Sequence, residues 1–356
     1  MTTNKVNLII SQNWIIPEKL LEEYASIMAL SKNEGELTKR TKEYLIQRLK
    51  RLHNIPVPDN ARAFNIIPII NDKIVGWGHL SWSTKGKEKE WNEGELYVYV
   101  IPGERQKGLG TRMCRKLLEK IPSYAGTLMV QAPKEEFGSL FAQKKLGATL
   151  VKEEERLVSK IRQFSREDIY QKAEQHRQMA EEQGLKLHFV TGETLEQDID
   201  FQAFVQLTEQ TMDDNPDDEW TEEEMSKKAE QYRQMLKNGH ERGIQYWNYL
   251  AIEKTTGKLV GYTQTILNFE GDLISAIDNK TGVLNEYSET GLALSLKYQV
   301  LERLLRETKV IYWINYHPQS NEYLVKIASE LGFEYFNSHC TYDLTRENWE
   351  KFLKNN

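Results

Sequence analysis

The sequence predicts an α/β protein, of the mixed-sheet α+β kind, built from two successive domains of one fold. Three observations carry the prediction. The chain has 356 residues, more than the roughly 250 that one hydrophobic core ordinarily holds. A strand of β-formers, a glycine-bearing turn and an amphipathic helix succeed one another between Leu96 and Ile121. The same succession returns in weaker form from Thr281, and the elements around both copies follow one order although few residues are shared.

Composition narrows the class. Apolar residues make up 39% and charged residues 28% of the chain, which is polar for a globular protein yet too rich in aliphatics and aromatics for a disordered one. A formal charge of −6 gives no footprint for nucleic acid, which needs a basic face. The basic segment Lys39–Arg51 carries Leu45, Leu49 and the following Leu52 at helical spacing and reads as the solvated face of a helix, a docking site for an acidic partner being the alternative. Cys114 and Cys340 have no partner spacing, and no histidine pair resembles a metal site, so neither disulfide, zinc nor other metal is expected. The apolar run near Leu8 is too short for a signal-peptide core, and nothing approaches the roughly 18 apolar residues of a membrane helix. A cytoplasmic protein without membrane or nucleic-acid partners is the expectation.

Along the chain, Pro17 opens a helix bearing Leu20, Leu21, Tyr24, Ile27 and Met28 on one face. Three strands are expected at Ala63–Ile70, Ile74–Trp82 and Glu95–Ile101, with a long charged loop from Ser83 to Gly94 before the last. After Gly110 comes a helix whose stripe of Met113, Cys114, Leu117, Leu118 and Ile121 makes Cys114 a core residue, not a nucleophile. A strand at Thr127–Gln131, a helix within Glu135–Lys145 capped at Gly147 and a strand from Ala148 complete the first domain, 1–164. Ser165–Gly184 reads as a polar connecting helix, and 185–356 as the second domain, with an acidic stretch at Asp213–Glu224 and strands at Tyr249–Glu253 and Lys258–Asn268.

The chemistry concentrates at Leu96–Thr111. A strand, a turn and a helix start aim several free backbone amides at one point, which favours an anion. Gly108 and Gly110 allow close approach of the backbone, and Arg105, Lys107, Arg112 and Arg115 bring positive charge. The spacing fits neither a dinucleotide G-x-G-x-x-G pattern nor a Walker loop. Arg105, Gly108 and Gly110, after Val100 and Pro102, resemble the signature of the GNAT superfamily of N-acetyltransferases: Arg or Gln, two residues, Gly, one residue, then Gly or Ala.

The resemblance implies acetyl-coenzyme A as cosubstrate. Its pyrophosphate is expected on Arg105, Gln106, Lys107, Gly108, Leu109, Gly110 and Thr111, and its pantetheine arm beside Val98 and Val100, where this strand and the next splay apart. Glu95 is the expected base, and Tyr97 and Tyr99 the candidate acids, core packing being expected for at least one of them. The tyrosine that the superfamily often places three residues before a Leu-Gly pair is replaced here by Gln143 and, in the second half, by Ala328. His79 is a residue that would line the acceptor cleft or serve as a hydrogen-bonded structural histidine.

The second half keeps Gly291 and Ala293 at the two small positions but has Ser288 and Glu289 where arginine and glycine are usual. Together with Trp313-Ile314-Asn315, Asn321 and Leu331-Gly332-Phe333, these features make the chain resemble the tandem acetyltransferases of the mycothiol synthase type over most of residues 1–164 and 185–356, with the intact turn here in the first copy. The implied reaction is acetyl transfer to a primary amine of a small molecule or an amino terminus. Alternatives on the same doubled fold are an aminoacyl- or long-chain acyltransferase and a non-catalytic coenzyme A sensor.

Overall fold

The computed structural model describes residues 6–13, 15–34, 36–37, 39–54, 61–85, 90–134, 137–211, 221–267, 274–317 and 322–354. It forms two compact units, one of residues 1–154 with 337–356 and one of residues 155–336. These are not the contiguous blocks 1–164 and 185–356 that the sequence order implied, because the last twenty residues pack with the first unit.

In the first unit, β1 (Val6–Gln12), β2 (Ala61–Ile70), β4 (Gly76–Lys85) and β5 (Glu90–Val100) pair antiparallel in that order, with the short β3 (Lys73–Ile74) closing a turn on β2. Strand β5 then runs parallel to β6 (Leu128–Pro133), which pairs antiparallel with the segment His339–Leu344 of the last strand of the chain. The charged loop expected at Ser83–Gly94 is instead mostly strand, since β4 and β5 stay paired out to Lys85 and Glu90 across a bulge after Ser83. Residues 86–89 lie outside the described set.

Period-two alternation divides this sheet into two faces. Odd-numbered positions such as Ile67, Trp77 and Tyr99 pack against α1 (Glu18–Asn33) and α2 (Lys42–Asn54), whose Tyr24, Met28, Leu45 and Leu49 are buried. Even-numbered positions such as Ile66, Leu80 and Leu96 pack against α3 (Leu109–Leu118), where Met113, Cys114 and Leu117 form the buried stripe. Burial pushes the Cys114 thiol up to about 12, so it is an inert core residue at neutral pH. Helix α4 (Phe137–Phe141) continues through a π-turn, Ala142–Leu146, to Gly147 in the left-handed region, and the chain leaves the unit along β7 (Thr149–Lys160).

In the second unit, residues 155–160 of β7 begin a sheet that continues through β12 (Tyr312–His317), β11 (Ser275–Val283), β10 (Leu259–Leu267) and β9 (Gln245–Glu253) to β8 (Leu185–Thr191). Its elements in chain order are α5 (Arg166–Glu182), β8 (Leu185–Thr191), α6 (Leu195–Asp198), α7 (Phe201–Gln210), α8 (Glu222–Glu241), β9 (Gln245–Glu253), β10 (Leu259–Leu267), β11 (Ser275–Val283), α9 (Leu292–Glu307), β12 (Tyr312–His317) and α10 (Glu322–Glu330). Helix α5 is not a mere connector: Ile169, Ala173 and Ala180 are buried against α9, and Gln299 donates to the Ala173 carbonyl at 2.7 Å. Three contacts on one face, four and seven residues apart, suffice to seat a polar helix, which is why its composition misled. Helices α7 and α8 cover the other face through Phe204, Val205 and Met225. Thr221 caps α8 in a reciprocal box with Glu224, while residues 213–220 of the acidic stretch, Asn268 and Asn321 fall outside the described residues.

The chain returns to the first unit within β13 (Phe333–Leu344) and ends in α11 (Arg346–Lys354). Trp349 and Phe352 are buried in the α3-side core, and Asn348 donates to the Gly147 carbonyl at 2.6 Å.

Candidate functional site

Strand β5 is held by β4 along its whole length, but its pairing with β6 consists of Glu95 with Met129 and Leu96 with Val130. Beyond Leu96 one edge of β5 is open, with no strand partner among the described residues. Which main-chain groups face that edge follows from alternation. The Ile101 N–H bonds to Val75 on the β4 side, whereas the Val100 carbonyl points away and accepts from Arg105 Nε at 2.8 Å. The main-chain groups of Val98 and Val100 therefore face the gap, and those of Tyr97 and Tyr99 face β4.

The turn begins with a 3-10 segment, Pro102–Glu104, and passes through Gln106 at φ 61° and Gly108 at φ 79°. Both lie in the left-handed region; at Gly108 a side chain is strained there, and the space a Cβ would occupy is open. Gly108 is the N-cap of α3 and no side chain caps the helix, so the first-turn amides of Leu109, Gly110 and Thr111 have no intrahelical acceptor. An uncapped helix start beside an open cradle fits a phosphate group.

Arg105 is used differently from the expectation that it meets the phosphates. Its Nε holds the Val100 carbonyl, its Nη2 bonds Glu34 at 2.6 Å, and its guanidinium lies 5.4 Å from the Tyr99 ring centre. Glu34 is 71 positions away in sequence and was invisible to local pattern reading. Lys107 is exposed and paired with Glu104 at 3.1 Å. The hydrogen bond to Glu34 raises the Arg105 pKa further. Tyr99 is buried with its ring in the α1-side core, and burial, with Glu34 beside it, pushes its hydroxyl up to about 12.

Glu95, Tyr97 and Tyr99 are at i, i+2 and i+4 and so share one sheet face. Tyr97 is tilted on Trp77 with ring centres 4.6 Å apart, and stands opposite His79 in the β4–β5 register. His79 is buried, its Nδ1 3.1 Å from Asn65 Oδ1; burial, reinforced by the Lys32 charge, lowers its pKa to about 4. It is thus neutral at physiological pH. Gln143 stands where a tyrosine is common and donates to the hydroxyl of buried Tyr342 on β13 at 3.1 Å.

The second unit repeats the backbone. Its strand β11 pairs with β12 over Ser275–Asp278 and then has no strand partner on that side among the described residues, a 3-10 segment follows at Asn285–Tyr287, and Gly291 caps α9 at φ 80°. The side chains differ. Ser288 bonds back to the Asn285 carbonyl at 2.8 Å, and Glu286 and Glu289 are exposed around the turn. A separate cavity of about 500 Å³ beside β8 and β9 is lined by Lys237 and by two charged pairs, Arg233 with Glu196 and His240 with Glu193. No group of three metal-binding side chains occurs among the described residues, and none of their helices is long and apolar enough to cross a membrane.

Residues 28–140 match the acetyltransferase (GNAT) family. A tandem GNAT protein from the clavulanic acid biosynthesis pathway superposes with a TM-score of 0.70 at 17% identity, covering 96% of this chain and 98% of that one. A GCN5-related N-acetyltransferase from Sphaerobacter thermophilus gives 0.59 at 14% identity, over 94% of this chain and 95% of that one. The glucosamine N-acetyltransferase region of a fungal multi-domain β-N-acetylglucosaminidase gives 0.61 at 13% identity, over 96% of this chain and 38% of that one. No curated protein matches the sequence. The chain accordingly has the fold of a tandem GNAT protein, and residues 28–140, within its first unit, are similar to the GNAT family, the class that transfers acyl groups from acyl-coenzyme A.

Proposed function

We propose that this protein is a cytoplasmic N-acetyltransferase that moves an acetyl group from acetyl-coenzyme A to a primary amine of a small molecule or an amino terminus, using the first unit. The observation that carries this reading is the open edge of β5 running into an uncapped α3. Leu109, Gly110 and Thr111 amides receive the pyrophosphate, with Gln106, Lys107 and Gly108 shaping the turn. Arg105 is a positioning residue that ties the turn to Val100 and Glu34. Acetyl-coenzyme A, when bound, supplies an activated thioester. The Val98 N–H polarises the acyl oxygen from the open edge, Glu95 takes the proton that makes the amine nucleophilic, and Tyr97 returns one to the departing sulfur. Tyr99, with its hydroxyl in the Glu34–Arg105 contact, supports the turn. The second unit, with Glu286 and Glu289 at its turn, is proposed to bind coenzyme A weakly. A screen of amines with acetyl-coenzyme A, following free thiol, tests the proposal. Thiol release above the acceptor-free blank is expected; none with any amine, despite tight coenzyme A binding, would instead favour the sensor reading, for which the Gln143 substitution speaks.

A further inference from the structure

The cavity of about 500 Å³ in the second unit lies where helix α8 passes the start of β9 and the turn that follows β8, and its size is that of a small-molecule site, roughly 300–1,000 Å³. One aromatic side chain organises its wall. The buried Tyr246 ring is seated where glycine stands on either side of it: a Cβ at Gly239 on α8 would lie 2.5 Å from a ring carbon, and one at Gly192 after β8 would lie 3.1 Å from Tyr246 Cβ. The Gly192 N–H also donates to the Tyr246 carbonyl at 2.7 Å. Both glycines therefore make room for the ring, and with Leu236, Ile244 and Trp247 it gives the cavity an apolar wall.

The charges of the cavity follow one helix face. Arg233, Lys237 and His240 line it from α8 at i, i+4 and i+7, a spacing that keeps them on one side of the helix and spans about 10.5 Å from first to last. Glu196 pairs with Arg233, which also meets Glu230 at 3.4 Å, and Glu193 stands 3.0 Å from His240. Lys237, between them, makes no hydrogen bond or ion pair among the described residues, its helical neighbour Glu241 included. A row of three basic groups thus meets acids at its two ends and none in the middle. We propose that this cavity binds a small monocarboxylate with a flat apolar body, of the aryl-carboxylate type. The carboxylate answers the Lys237 ammonium, and the ring lies on the wall that Tyr246 and Trp247 provide. A dianion would set its second charge against Glu193 and Glu196, an ammonium would meet Lys237, and an uncharged amide would leave that cation unanswered. The second unit, whose own glycine turn is flanked by Glu286 and Glu289, thereby has a ligand site apart from the coenzyme A cleft.

The test is calorimetric titration of the full chain with benzoate, phenylacetate, 3-phenylpropionate and indole-3-acetate, each compared with its carboxamide, and with benzylamine and phenyl phosphate. At least one carboxylate should bind with a Kd below about 1 mM and about five- to tenfold more tightly than its amide, as one charge-assisted contact provides. Lys237→Met should bring acid and amide together, and Lys237→Arg should keep most of the difference. Glu193→Gln, which takes a negative charge off the mouth, should tighten the acid about two- to fivefold and leave the amide unchanged. Both side chains are exposed, so melting temperature serves as the folding control. Saturating coenzyme A should leave the affinity for the acid as it is. No carboxylate bound below about 1 mM, equal binding of acid and amide, preference for benzylamine or phenyl phosphate, an acid preference untouched by Lys237→Met, or displacement of the acid by coenzyme A would overturn the proposal.

Discussion

Glu95 and Gly108 stand at opposite ends of the open edge of β5, and they separate binding from chemistry. Gly108→Asp would place a carboxylate and a Cβ in the open cradle at a left-handed position. Coenzyme A affinity should fall at least a hundredfold, since like-charge repulsion and backbone strain act together; retention within about threefold, read by calorimetry, would mean that the turn does not hold the phosphates. Glu95→Gln should leave that affinity in place and lower kcat by about 10²–10⁴ at neutral pH, the ordinary range for a lost general base, with the deficit shrinking at alkaline pH as the free amine becomes abundant. His79 makes a prediction of the opposite kind. Its folded pKa of about 4 lies below the ordinary 6.5, so the unfolded chain takes up a proton that the native state refuses. Stability is therefore full above the ordinary value and is lost as pH falls toward 4, by about 2 kcal/mol at about pH 5. The Hε1 resonance should stay in its neutral position down to about pH 5, and His79→Gln should melt with a shallower acid dependence than the parent.

At the level of elements, the two strand–turn–helix copies form a controlled comparison. Gly108 and Gly291 have nearly the same backbone, at φ 79° and 80°, so a difference in affinity has to come from the side chains and the local charge. One tight coenzyme A site per chain is expected, abolished by Gly108→Asp and untouched by Gly291→Asp; two equal sites, or the converse dependence, would reassign the active half. The turn was legible because everything that defines it is local: a run of β-formers, Arg105 and two small residues within a few positions. The helices α1 and α3 were legible for the same reason, their apolar residues recurring every third or fourth place. Glu34 and Asn65 were not, because each reaches the site through a helix end or strand register far off in sequence, and a single chain carries no signal for such pairings. The loop expected before Glu95 failed on another ground. Glu90, Glu93 and Gly94 are poor β-formers by propensity, yet the β4 ladder holds them extended.

For the molecule as a whole, the order of the chain and the order of the compact units differ. The sheet of the first unit is completed by residues 339–344, which pair with β6, and its α3-side core by Leu344, Trp349 and Phe352. Burying side chains of this size stabilises by roughly 1.5–3 kcal/mol each, which is a large share of the 5–15 kcal/mol that holds an ordinary domain together. Ending the chain after Phe336 should therefore unfold the first unit and abolish coenzyme A binding, although every residue of the Arg105–Gly110 turn is retained. Native-like amide protection of β5 and unchanged calorimetry in that truncation would show that the terminal segment is dispensable. During synthesis the same arrangement sets a schedule. The ribosome delivers the glycine turn early and the strand that flanks its sheet last, so the pieces of the first unit must wait, incompletely paired, while the whole of the second is made. A polypeptide released before this segment was made would present unfinished sheet to chaperones and proteases and could not sequester cofactor, so that possession of bound coenzyme A would report that synthesis had passed the residues that complete the first unit.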